Sequence, residues 1–204
     1  MRIYRWILGV CLGCLVILIP AITLFFGTYV AQWDGPGFRK VVAVVPVPAA
    51  RIGTSWVLYH DYLEHLDAER KFLQSPGGQV DGMPKLTDKE MRRDALERAI
   101  RIRAIEIFAA QRDIVVTPLD VSRAYDSLRI QNGTSTTPAE FHEVLNEQFG
   151  WNEQEFKSYF IRPSMLEDGL IKKAAEGTED ATIFTRELEA RVNASDVTRY
   201  LHFK

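Results

Sequence analysis

The chain has 204 residues, of which 47% are apolar and 25% are charged, with 13 Gly, 9 Pro and 2 Cys. This composition excludes intrinsic disorder, collagen and disulfide-rich scaffolds, and the length allows one ordinary domain with an additional segment. The formal net charge is -2, but residues 1–31 carry two arginines and no acid, so the remainder carries -4. Because phosphate binding needs a concentrated basic field, nucleic acid is not an expected partner.

The stretch from Trp6 to Phe26 contains 21 residues and no charged side chain. A helix of this length spans about 31 Å, which matches the hydrocarbon thickness of a bilayer, whereas a cleaved signal peptide has an apolar core of about 7–15 residues. We therefore expect residues 1–31 to form an N-terminal transmembrane anchor, with cleavage, or lipid attachment at Cys14, as alternatives. Arg2 and Arg5 favour a cytoplasmic N-terminus in the cell membrane, so the C-terminal domain is expected to be extracytoplasmic.

Both cysteines, Cys11 and Cys14, lie within this apolar segment. A C-x-x-C spacing can indicate a redox pair or half of a zinc site, but the sequence offers no second pair and no neighbouring histidine. We therefore interpret both as small apolar residues of a lipid-facing helix.

Residues 32–48 are expected to be a linker with extended structure. Asp34-Gly35-Pro36-Gly37 is typical of a turn-rich hinge, and the β-branched run from Val41 to Val47 favours an extended segment or an edge strand. The sequence thus predicts a short β-segment near residues 41–52. The loosely alternating segment from Val197 to Phe203 could pair with it.

Beyond this segment the apolar residues recur at a helical period. We predict a helix from about Leu58 to Gln74, an interruption from Ser75 to Lys85, and a central helix from Asp88 to Gln111 whose second half is buried on more than one side. A short later helix containing Phe156 to Phe160 is expected to end before Pro163.

Four predicted helix starts share one capping pattern, in which an N-cap side chain is followed three residues later by an acidic residue. The four pairs are Thr87 with Glu90, Thr117 with Asp120, Thr137 with Glu140, and Asn152 with Glu155. The predicted fold class is therefore all-α, mainly a helical bundle, for a domain of residues 49–177. Residues 178–204 are expected to complete it with a C-terminal helix and a strand.

The sequence contains no constellation typical of catalysis. His60 with Glu64, and Asp61 with His65, have the four-residue spacing that places two metal ligands on one helical face, but such surface pairs are common. Phosphate-binding loops and nucleophile motifs are missing from the sequence. We therefore expect no catalytic residue, no metal and no cofactor.

Aromatic residues are dense in the C-terminal half of the chain. They can be interpreted as core between helices, or as the lining of an exposed apolar groove that accepts unfolded polypeptide. The peptide-binding candidates are Phe141, Phe149, Trp151, Phe156, Tyr159, Phe160 and Met165.

The stretch MRRDALERAIRIRAIEIFAAQRDIVVTPLDV, from Met91 to Val121, resembles the central helix of the SurA-type N-terminal domain, which occurs in extracytoplasmic chaperones and parvulin-type prolyl isomerases. Arg92 to Ile100 matches the arginine-rich helix of that family, and Asp113 stands where glycine is usual. Phe141 to Lys173 resembles the continuation of the family pattern, notably at Phe149-Gly150-Trp151. The resemblance covers about Ala49 to Lys173.

This resemblance implies a small helical module that cradles unfolded or newly exported polypeptides without ATP. The family domain is commonly coupled to a parvulin domain, but the 28 residues after Glu176 are fewer than such a domain needs, so isomerase activity is not expected. The sequence favours a membrane-anchored, extracytoplasmic chaperone-like domain. The alternatives are a non-catalytic docking or scaffold partner of an envelope complex, and a peptidyl-prolyl cis-trans isomerase.

Overall fold

The computed structural model describes residues 18–80, 86–131, 137–176 and 182–203. The described chain is mainly helical, as predicted. Residues 18–25 are helical, and Phe26–Val30 continues them as a π-helical segment. None of the helices in the described ranges has the length and apolar character needed to cross a membrane. Residues 6–17 of the predicted span, which include both cysteines, lie outside those ranges.

The domain that follows contains helices and one small sheet. The helices are α1 (Pro36–Val44), α2 (Tyr59–Gln74), α3 (Asp88–Gln111), α4 (Pro118–Gln131), α5 (Pro138–Phe149), α6 (Glu153–Phe156), α7 (Arg162–Ala175) and α8 (Thr182–Val192). The strands are β1 (Pro48–Ile52), β2 (Ser55–Leu58) and β3 (Val197–Arg199), in the spatial order β2-β1-β3.

The sheet joins two distant parts of the sequence. β1 and β2 form an antiparallel hairpin closed by Gly53 and Thr54, and Gly53 has a φ of 57°, as the first central position of a type II′ hairpin loop requires. β3 pairs antiparallel with the other edge of β1, with Ala50 opposite Arg199. The predicted pairing of the Val197 segment with the strand near Ile52 is therefore confirmed.

The extended structure predicted from Val41 is wrong for the first residues of that run, because Val41 to Val44 belong to α1. Pro36 at the first helical position has the backbone dihedral that a helix start requires, and Val42 is buried against the core. This packing overrides the weak strand preference of β-branched residues, and the strand begins only at Pro48.

The four predicted helix starts are confirmed. Three of the pairs, those at Thr87, Thr137 and Asn152, form complete capping boxes. At α4 the backbone N–H of Asp120 donates to Thr117 Oγ1 at 3.2 Å, and the Thr117 N–H donates to the Asp120 carboxylate at 3.0 Å. The central helix α3 has the predicted bounds.

The helix containing Phe156 does not end before Pro163, contrary to the prediction. α6, a π-helical segment (Lys157–Ile161) and α7 follow one another as a continuous helix. In a regular α-helix the proline ring clashes with the carbonyl four residues earlier. The N–H of Arg162 instead donates to the carbonyl of Lys157, and this wider turn changes which carbonyl the proline ring meets.

The apolar core has two parts. The larger part lies where α2 and α3 pack against the sheet, α7 and α8, and it includes Tyr62, Ile100 and Phe184. The smaller part, called the aromatic cluster below, is built around Tyr125, Phe141, Trp151, Phe156 and their apolar neighbours between α2, α4, α5 and the π-helical segment.

Candidate functional site

The seven predicted peptide-binding residues lie close together, and most of their surface is packed within the aromatic cluster. Phe141, Trp151 and Phe156 are buried, and Phe149, Tyr159 and Met165 are half-buried. Phe160 is the exposed member of the seven, with 48% of its surface accessible.

The rings of this cluster contact mainly one another. Phe149 stacks on Trp151 with the ring centroids 5.5 Å apart, and Phe141 meets Phe156 edge to face at 6.1 Å. Phe160 stacks on Phe156 at 5.1 Å and reaches the surface. The packing role that the sequence left open therefore accounts for most of these side chains.

A cleft of about 570 Å³ lies beside the aromatic cluster. Its walls are β2, the first turns of α2, the middle of α3 and the π-helical segment up to Arg162. Among the seven candidates, Tyr159 lines this cleft, so it belongs both to the aromatic cluster and to the cleft.

The cleft has an apolar floor. Val57 and Ala99 are buried there, and Ile102 and Tyr159 are half-buried and present part of their surface to the cleft. Trp56 at the rim is 48% exposed, with the Arg51 guanidinium 5.9 Å from its ring centroid. The cleft thus offers apolar and aromatic surface next to solvent.

Three charged side chains of the cleft wall, Arg103, Glu106 and Arg162, are paired. Glu106 accepts hydrogen bonds from Arg103 Nη1 at 2.8 Å and from Arg162 Nη1 at 2.6 Å. Burial raises the pKa of the neighbouring Asp61, and the interaction with His60 opposes that shift. The wall is therefore polar without a strong field of one sign.

Of the two histidines of α2, His65 lines the cleft, and His60 lies against Tyr159. His65 is buried between Trp151 and Tyr159, at ring distances of 6.4 and 5.4 Å. Burial, with a smaller contribution from Arg98, lowers the pKa of His65 to about 4, so its ring is neutral at pH 7. His60 Nε2 lies 3.5 Å from the Tyr159 hydroxyl oxygen.

The helical pairs noted in the sequence are only partly brought together. His60 Nδ1 lies 3.8 Å from Glu64 Oε1, which is the expected four-residue pair. In the portion of the chain that the structure describes, no group of three or more His, Cys, Asp or Glu is arranged to hold a metal ion.

The backbone of β1 alternates between its two neighbours. The N–H of Tyr200 donates to the Ala49 carbonyl at 3.0 Å, on the side of β3. Successive residues of a strand direct their backbone polar groups to opposite sides. Ala50 and Ile52 therefore direct their backbone groups towards β2.

This alternation places the backbone N–H and carbonyl of one β2 residue on the outer edge of the sheet. Val57 and Ser55 are the partners of Ala50 and Ile52, so their backbone groups face β1. Trp56 lies between them and directs its N–H and carbonyl away from β1. Over the described ranges, no strand pairs with this edge, and it lines the cleft.

Sequence reasoning missed Trp56 and Ile102, because it weighed only the dense aromatic residues of the C-terminal half. A signal was present, since Trp56 follows the Gly53-Thr54 turn in a four-residue strand and alternates with Val57. A large aromatic residue out of phase with the buried positions of a strand predicts an exposed ring.

Comparisons of the chain with protein-family models, with curated proteins and with solved structures find no match.

Proposed function

We propose that this protein is a membrane-anchored, extracytoplasmic chaperone-like domain that binds unfolded or newly exported polypeptides in the cleft beside β2, without ATP or a cofactor. The observation that carries the proposal is the outer edge of β2, which lines a cleft with an apolar floor and directs the backbone groups of Trp56 outwards. The resemblance of Met91 to Val121 to the SurA-type domain supports the same class of function.

An extended polypeptide can add to an exposed strand by backbone hydrogen bonds, which do not depend on its sequence. In the cleft, such a segment would pair with Trp56 and place every second side chain towards Val57, Ile102 and Tyr159. Selection by backbone and apolar surface suits a protein whose clients share no sequence.

The size and charge of the cleft favour weak, reversible binding. A volume of about 570 Å³ accommodates a few side chains and not a folded surface. Glu106 is already paired with two arginines, so a client does not gain a new buried ion pair on this wall. The cost of ordering an unfolded chain further lowers the affinity.

Membrane anchoring is supported by the apolar helix before the domain. Residues 18–30 have exposed apolar side chains, among them Ile19, Ile22 and Phe25. They continue the uncharged run that begins at Trp6. A helix with apolar residues on its exposed sides is stable in lipid and unfavourable in water.

The test uses the full-length protein reconstituted in lipid nanodiscs, with reduced, denatured lysozyme as the client. The variants are Trp56→Pro and Trp56→Val, which both remove the indole ring. Only proline removes the outward N–H, and an edge strand tolerates it. We expect Trp56→Pro to suppress aggregation several-fold less than Trp56→Val, with unchanged helicity by circular dichroism.

A second variant changes the part of the apolar floor that α3 contributes. Ile102→Ser shortens the apolar floor without touching the sheet, and it should also weaken aggregation suppression. Equal suppression by wild type, Trp56→Pro and Ile102→Ser would refute client binding in this cleft. A prolyl-isomerisation assay on the wild-type sample should show no acceleration, and acceleration would favour the isomerase alternative.

A further inference from the structure

Helix α1 exposes valines beside the apolar helix. Val42 is buried against the core, whereas Val41 and Val44 are 45% and 83% exposed, and Val45 follows with 39%. The helix Pro36–Val44 contains no acidic residue, and its Lys40 is exposed. α1 thus presents an apolar stripe with a basic side chain next to it.

The position of α1 relative to the apolar helix is set by close ring contacts at Gly27. A methyl group added to Gly27 would lie 2.6 Å from the Trp33 ring and 2.9 Å from the Phe38 ring, which shows how closely both rings approach this backbone. Phe38 belongs to the first turn of α1. α1 therefore begins at the level of Gly27, directly after the end of the predicted span at Phe26.

The segment between the two helices is fastened to the domain. Trp33 donates its N–H to the Gly27 carbonyl at 2.7 Å and accepts from the Tyr59 hydroxyl at 3.1 Å. The Asp34 carboxylate binds Arg70 and Arg92, each at 2.8 Å, and these arginines hold the pKa of Asp34 below its usual value against the opposing effect of burial. The turn predicted as a hinge is therefore tied to α2 and α3.

We propose that α1 lies in the headgroup region of the bilayer that anchors the protein, with Val41, Val44 and Val45 at the acyl boundary and Lys40 towards lipid phosphates. This inference rests on the membrane anchoring proposed above. A lipid surface is the occupant that the positions favour, because α1, which carries the exposed valines, begins at Gly27, beside the end of the predicted span. A lysine flanking such a stripe extends its ammonium group to the headgroups.

The chain offers a matched control for this contact. Val115, which follows α3, is 79% exposed, close to the value for Val44. Arg92, near the start of α3, is bound to Asp34, and the rise of a helix places Gln111 at the other end about 28 Å away. Val115, four residues beyond Gln111, thus lies far from α1.

The experiment uses full-length protein with Cys11→Ala and Cys14→Ala, reconstituted in phosphatidylcholine vesicles with a share of phosphatidylglycerol. Nitroxide labels are placed on Val44→Cys, Val115→Cys and Ile22→Cys in separate samples. Electron paramagnetic resonance then compares collisions with oxygen, which partitions into lipid, and with a water-soluble nickel chelate. We expect the oxygen-to-nickel ratio at position 44 to be several-fold higher than at position 115.

Position 22 reports whether the chain is anchored at all. A lipid-like ratio at position 22 with equal, water-like ratios at positions 44 and 115 would overturn the placement of α1 and leave the anchoring intact. Water-like ratios at all three positions would overturn both. Client binding is not measured here, so failure of the proposed cleft cannot produce either result.

Discussion

Asp113 has a φ of 54°, a left-handed conformation that costs a residue with a side chain more than it costs glycine. It lies directly after α3, at the position where the SurA-type pattern has glycine. We predict that Asp113→Gly raises the free energy of unfolding by about 1 kcal/mol, because glycine removes the steric cost. Urea denaturation of the full-length protein in detergent measures the change.

Asp113→Ala is the matched control for this prediction. Alanine keeps the Cβ but loses the short polar side chain that makes the left-handed region accessible to aspartate. It should therefore be less stable than wild type. A glycine variant no more stable than wild type would contradict the steric argument.

His65 predicts a loss of stability in mild acid. Its pKa is about 4 in the folded protein, against 6.5 ordinarily. Below about pH 6.5, His65 becomes protonated in the unfolded chain but stays neutral in the folded chain. Its contribution to stability is therefore complete above this pH and declines towards pH 4. The expected loss from this residue between pH 7.5 and pH 5 is about 2 kcal/mol.

The contribution of His65 can be isolated with His65→Gln, which cannot titrate. Other carboxylates also titrate in this range, and comparison of the two proteins removes their effect. The difference between the unfolding free energies at pH 7.5 and pH 5 should be smaller in His65→Gln than in wild type. An equal pH dependence in both proteins would show that the buried ring is protonated without cost.

At the scale of elements, the caps should contribute measurably to stability. Thr137 accepts from the Glu140 N–H at 3.3 Å and begins α5, which carries Phe141 into the aromatic cluster. We predict that Thr137→Ala lowers the unfolding free energy by about 1 kcal/mol. Thr137→Ser keeps the hydroxyl and should stay close to wild type in the same urea titration, and an equal loss in both variants would contradict the capping role.

The helices could be predicted from the sequence where local signals agree with packing. The capping pair at Thr87 and the apolar period up to Gln111 specify α3 completely. The prediction failed at Val41, where burial of Val42 decides the structure, and at Pro163, where a wider turn accommodates the proline ring. Neither burial nor a change of helical register is visible in a local pattern.

At the scale of the whole molecule, one ion pair joins β3 to the central helix. Arg199 donates from Nε and Nη2 to the two Glu97 carboxylate oxygens, both at 2.7 Å. Because both side chains are partly exposed, we expect Arg199→Lys to cost only about 0.5–1 kcal/mol, through loss of the two-pronged geometry. Hydrogen exchange should show faster opening of β3.

A double-mutant cycle tests the same pair. If the pair acts as described, the double variant with Glu97→Gln and Arg199→Lys should lose less unfolding free energy than the two single variants lose together. Strict additivity would mean that the two-pronged geometry of Arg199 adds nothing to the interaction with Glu97 beyond what a lysine provides.

The candidate site was harder to predict than the fold. The sequence directed attention to the aromatic residues from Phe141 to Phe160, most of which fill the core. Among them, Tyr159 also lines the cleft. The cleft itself is formed by β2, α2, α3 and the π-helical segment. β2 and α2 are adjacent in sequence, but α3 and the π-helical segment are far from them, so only tertiary packing shows that Trp56 and Ile102 share a surface.

The pairing of β1 with β3 has a consequence for the order in which the domain forms. β1 ends at Ile52, and its outer partner begins at Val197, after all the helices of the domain have been made. A chain that emerges gradually, from the ribosome or across a membrane, therefore presents one edge of β1 and the neighbouring core to its surroundings until the final strand arrives. During that interval the incomplete domain is exposed to proteases and to other chains of its kind.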